Sequence, residues 1–216
     1  GGGGAHAGGH HGPTLTGAYW LNRLLTSLVQ NGFFFMGISI IMIFFIAVKF
    51  SANAGWHVLM MRIPLAFAEF VPVGWIILIL IVLLEIAGVV HIHAWTDSHR
   101  VEGDPLLQSK TWYLNHTFFF IRQLLAGVGW VLAIQAFRKM TVAEETLGGT
   151  KTFWSQRKVA AGFLVFFAFT FCAMAFDWMM ACDPHWFSTM FGVHMFASCW
   201  VSALAFMAII MAYLKK

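Results

Sequence analysis

Residues 163–200 read FLVFFAFTFCAMAFDWMMACDPHWFSTMFGVHMFASCW, two strongly apolar runs that enclose Asp177, Asp183, His185 and His194. An ionisable group near the middle of a membrane helix costs roughly 2.5–3.5 kcal/mol on insertion scales, so such groups turn to a protein interior and handle protons, ions or redox ligands. The stretch predicts a membrane protein with a polar interior.

Composition points the same way. The chain is 60% hydrophobic and only 10% charged, with a mean hydropathy of +0.76, against about 25% charged residues in soluble domains. Its 13 Lys+Arg outnumber 9 Asp+Glu, but the basic residues sit in short connections between apolar runs, where they set topology rather than bind nucleic acid. Cys172, Cys182 and Cys199 lack metal-site or disulfide spacing.

Windows of the ~20 residues needed to cross a bilayer give five spans, about 33–50, 71–95, 113–137, 159–181 and 186–214. The expected fold is an all-α integral membrane protein, a bundle of about five transmembrane helices over 32–216 behind a His/Gly-rich segment and pre-helix at 1–31. Between the first two spans, WHVLMMRIPLAFAEFVP is apolar but broken by Arg62, Pro64 and Pro72, which suits an interfacial or re-entrant piece. Pro72 fits the first turn of the second span, where a missing N–H does no harm.

Lys49, Arg62, Arg138, Lys139, Lys151, Arg157, Lys158, Lys215 and Lys216 fall on one side, and Arg23, Arg100 and Lys110 on the other. The excess predicts that the first side is cytoplasmic and that the N-terminus and the turn between the last two spans lie outside. GGGGAHAGGHHG cannot form a packed element and reads as a flexible external segment, with His6, His10 and His11 as weak metal ligands at most. The chain starts without Met and ends on its last span, so the expectation is a piece of something longer.

Seven polar residues fall inside or near the ends of the spans. Glu85 and Arg122 are placed near mid-span, and His91, His93, His116, Asp177 and His194 toward the outer ends. Ordinary pairing of Arg122 with Glu85 or Asp177, and histidines bonded across helices, would account for any one of them. On a helix His91 and His93 point ~200° apart and cannot chelate one ion, whereas His93 and Asp97 share a face. That pair reads either as a helix-end contact or as a proton-exchange pair. A bis-histidine haem would need His91 or His93 opposite His194. Glu69 reads as a snorkelling surface group or a proton-uptake carboxylate. At the last corner Asp183-Pro184 ends a helix, Ser188 is available as a cap, and Trp178 and Trp186 suit the interface belt. Glu85, His91, His93, Arg122, Asp177 and His194 are expected to converge as proton-transfer groups.

The segments AGWHVLMMR, FVPVGW, SKTWYLN, AGFLVFF, DWMMACDPHWFSTMFG and IIMAYLKK, with the His/Gly-rich segment before them, resemble the second polysulfide-reductase-type (NrfD-like) membrane subunit of bacterial alternative complex III, a quinol:electron acceptor oxidoreductase. The resemblance implies part of a larger NrfD-like helical bundle in the bacterial inner membrane. It implies partners as well: a paired NrfD-like subunit, an iron–sulfur subunit and multihaem cytochrome c subunits. Quinol oxidation in that family belongs chiefly to the paired subunit, so proton handling is implied here, with no cofactor bound by this chain alone and haem c and iron–sulfur clusters held by partners. A b-type cytochrome or a secondary transporter subunit are the alternatives; a transporter would be expected to show an inverted repeat, and none is visible.

Overall fold

A computed structural model describes residues 17–52, 61–89, 92–96, 98–147 and 150–215. Among these residues eight α-helices follow one another: α1 (Gly17–Ala52), α2 (Arg62–Ala68), α3 (Phe70–Ile86), α4 (Ser98–Gly103), α5 (Pro105–Ser109), α6 (His116–Leu147), α7 (Thr150–Trp178) and α8 (Phe191–Leu214). No strand occurs among the described residues. Five stretches of the described residues are long and apolar enough to cross a membrane: Tyr19–Ala52, Arg62–Ile86, His116–Ala143, Trp154–Cys182 and Phe191–Leu214. The protein is an all-α, multi-pass membrane bundle.

α1 is its axis. The most apolar window of α1 is 72% buried, against 17% for α8, and α1 touches α2, α3, α6, α7 and α8. Met36 to Ile43 are all buried. Small residues allow the close crossings that membrane helices need in place of a hydrophobic drive: Gly37 meets Cys199 of α8, Gly74 of α3 meets Met36, and Gly192 of α8 meets Cys172 of α7.

Several expected boundaries move. α1 begins at Gly17 rather than at residue 33, because the polar Asn22, Arg23 and Asn31 carry no helix breaker with them. The segment from Arg62 is no separate interfacial piece. It is the first part of the second span, interrupted only at Glu69, where the ring of Pro72 would collide with the carbonyl of Ala68 in an unbroken helix. The same span stops at Ile86 and not at residue 95, since Gly88 turns the chain out at φ 73°, a conformation open to glycine. His93 therefore sits on a connection, followed by a 3-10 turn at Ala94–Thr96; Asp97, its expected partner, lies outside the described residues. Ser188 caps nothing; α8 begins at Phe191 with Met190 before it.

The connection between α3 and α6 folds over the corner between α7 and α8. Asp104 caps α5 by accepting from the Leu106 N–H at 2.9 Å, and its other oxygen lies 3.1 Å from His185 Nε2. Lys110 Nζ donates to the Pro184 carbonyl at 2.6 Å.

Candidate proton-transfer site

Two ionic pairs lie beneath that cover, and both are built at helix ends. Glu85 sits one residue before the end of α3, not at mid-span, and is 2% exposed. The chain reverses at Gly88 and returns His93 over it. The His93 backbone N–H donates to Glu85 Oε2 at 3.1 Å, and His93 Nδ1 lies 3.0 and 2.9 Å from the two carboxylate oxygens. The other ring nitrogen, Nε2, is 3.2 Å from the Trp178 carbonyl at the end of α7. A carbonyl can only accept, so Nε2 carries a hydrogen, and Nδ1 faces a carboxylate. Burial pushes the His93 imidazole down, but Cys182 and the bonded, charged Glu85 outweigh it and raise the pKa to about 10.

The second pair locks α6 to α7. Arg122, in the second turn of α6, donates through Nε to Asp177 Oδ2 at 2.8 Å and through Nη2 to Oδ1 at 2.9 Å. Its Nη1 donates to the Tyr113 carbonyl at 3.1 Å, and its guanidinium lies over the Tyr113 ring at 3.9 Å. This fork-to-fork geometry is the strongest a carboxylate can make. Burial pushes the Tyr113 phenol up to about 12, with the Asp177 charge adding to the shift and Arg122 opposing it.

Gln123 and Trp178 connect the two. The Trp178 indole N–H donates to Gln123 Oε1 at 3.0 Å, while Gln123 Nε2 reaches Asp177 Oδ2 at 3.4 Å. Trp178 thus binds His93 through its carbonyl and Gln123 through its ring. It is fully buried, not an interface-belt residue as expected; Trp186, 50% exposed, suits the belt. Neither Gln123 nor Trp178 was among the candidate site residues. The available signal for Gln123 was a lone amide inside an apolar run, next to Arg122.

Four of the six expected residues, Glu85, His93, Arg122 and Asp177, come together. His91 lies outside the described residues. His194 does not join them: α8 turns Gly192, Cys199, Ala203 and Met207 inward, and a residue two positions from Gly192 points ~200° away. Its side chain is exposed. His116 is exposed at the start of α6, its ring 5.6 Å from Trp95. Glu69 pairs with Arg138 at 2.9 Å, both side chains more than half exposed. No group of three or more His, Cys, Asp or Glu among the described residues is arranged to hold a metal.

Fold and site define a helical membrane protein with a buried ionic network at one end of its bundle. No protein-family model matches the chain, and no curated protein matches it.

Proposed function

We propose that this chain is an integral membrane subunit of a respiratory quinol:electron acceptor oxidoreductase of the alternative complex III type, in the bacterial inner membrane. Its part is a proton-transfer half-channel at the outer end of the bundle. Electron transfer belongs to partners: a paired NrfD-like subunit, an iron–sulfur subunit and multihaem cytochromes c, with quinol oxidised in the assembly. The N-terminal segment lies outside and the C-terminus in the cytoplasm.

The observation that carries the proton reading is the Glu85–His93 pair, buried and bonded at 2.9–3.0 Å. One proton is shared by two titratable groups there, and moving it between Nδ1 and the carboxylate needs no rearrangement. Arg122 and Asp177 have a different part. A guanidinium cannot give up its proton, so the bidentate pair holds α6 against α7 and Arg122 supplies a fixed positive charge beside the mobile proton.

Infrared difference spectroscopy of the intact complex on quinol addition tests this. A protonated-carboxyl C=O band should appear or vanish in the wild type and be missing in Glu85→Gln. A wild-type spectrum with no carboxyl band, or one that Glu85→Gln leaves intact, removes Glu85 from any proton path.

A further inference from the structure

The connection that covers the ionic network also encloses a pocket of about 270 Å³, whose polar lining is Thr96, Glu102, Thr111, Asn115 and His116, with Trp95 beside them. Glu102, Thr111 and His116 are exposed at its rim, and Trp95, 4% exposed, is its most buried wall. Several of the polar groups are already bonded. Thr96 Oγ1 donates to the His93 carbonyl at 2.7 Å, Thr111 Oγ1 to the Gln108 carbonyl at 2.8 Å, and the Asn115 amide to the carbonyls of Thr111 and Trp112 at 3.1 Å. Three groups are not. The Trp95 indole N–H is buried with no hydrogen-bond partner among the described residues. Gln108 bonds the backbone carbonyl of Glu102, at 2.8 Å, and not its carboxylate, while His116 meets Trp95 ring to ring. Neither that carboxylate nor that imidazole has a hydrogen-bond partner among the described residues.

A buried N–H without an acceptor is costly, and proteins satisfy such groups with ordered water. Liquid water takes about 30 Å³ per molecule, so the pocket has room for several, and a donor, an acceptor and an imidazole are the partners a water cluster needs. The same indole ties the pocket to the buried pair. Its ring lies 5.6 Å from that of His116 and 6.1 Å from that of His93, and the next residue, Thr96, holds the His93 carbonyl. We propose that this pocket is the outlet of the half-channel: water anchored by Trp95 takes the proton from the Glu85–His93 pair and passes it to Glu102 and His116, which release it to the outside. The inference rests on the proton-transfer reading of that pair. One proton leaves the pair, water and then His116 or Glu102 hold it in turn, and the next proton from the assembly restores the pair. Trp95 acts by position and carries no proton itself.

The test is time-resolved proton release from the intact complex in vesicles, read by a membrane-impermeant pH dye, alongside the infrared carboxyl band that Glu85→Gln removes. Glu102→Gln with His116→Asn should slow proton release by about a hundredfold, the low end of what positioned proton-transfer groups contribute, and leave the Glu85 band in place. Imidazole added to the medium should restore the rate, since a mobile base replaces a lost proton acceptor and does not repair a misfolded site. Trp95→Phe keeps a ring and removes the N–H, and it should slow release as well. Release at the wild-type rate in either variant, or a slow rate in the double variant that imidazole leaves unchanged, overturns the outlet; a Glu85 band that persists in those variants keeps the reading of the pair. A wild-type complex that shows no such band removes both.

Discussion

Glu85 and Asp177 are both carboxylates buried at helix ends, yet their partners give them opposite parts. Asp177 meets a guanidinium through two bonds of 2.8 and 2.9 Å, a partner that keeps its own proton. Glu85 meets an imidazole, the one side chain whose ordinary pKa lies near neutrality. The consequence for stability follows from His93. Its pKa is raised from 6.5 to about 10, so the folded chain holds a proton that the unfolded chain releases between those values. The stabilisation is complete below about pH 6.5 and is lost as pH rises through about 10. Thermal unfolding of the detergent-solubilised protein should show Tm falling from pH 6 to pH 10, with a shallower fall in His93→Asn; parallel slopes would mean that the pair contributes nothing. At this scale the sequence was legible for charge and blind to register. Glu85, Arg122 and Asp177 stand out because ionisable groups are costly in an apolar run, whereas Gln123 carries no such signal. His194 looked equivalent to Asp177 until the inward face of α8 was defined by Gly192 and Cys199.

Helices here meet where side chains are missing. A methyl group at Gly127 of α6 would overlap the Trp75 indole of α3, and one at Gly129 would overlap the Phe166 ring of α7, while Gly162 of α7 has nothing within 4 Å. Gly127→Ala and Gly129→Ala should each destabilise the bundle by about 1–3 kcal/mol through overpacking. Gly162→Ala should be neutral or stabilising by up to about 1 kcal/mol, because alanine loses less backbone freedom in a helix. Denaturant titrations by circular dichroism would check all three, and equal effects at Gly127 and Gly162 would contradict the packing described. Hydropathy alone located five spans, because each runs for about the bilayer thickness without a cluster of charge. It overran the second span, since AGVVHIH after Ile86 still carries valines and an isoleucine, while Gly88 at positive φ turns the chain out. That error placed His93 on a helix when it belongs to the returning connection, which is what lets it reach Glu85.

Across the whole molecule, α1 is enclosed and α8 is left mostly open, 72% against 17% buried in their most apolar windows. One end of the bundle is closed by the connection between α3 and α6, pinned by Lys110 to Pro184 and by His185 to Asp104. These bonds join residues 74 and 81 positions apart, and no local pattern announces them. The cover leaves the ionic network at one end of the bundle, where the proposed half-channel would empty. Proton release per quinol oxidised, measured for the intact complex reconstituted in vesicles, tests the central claim directly. Glu85→Gln should lower proton release per turnover in an assembled complex that still oxidises quinol. Asp177→Asn strands the Arg122 charge in a site where its side chain is only 12% exposed and should instead cost about 3–5 kcal/mol of stability. Unchanged turnover with unchanged proton release in Glu85→Gln would contradict the account.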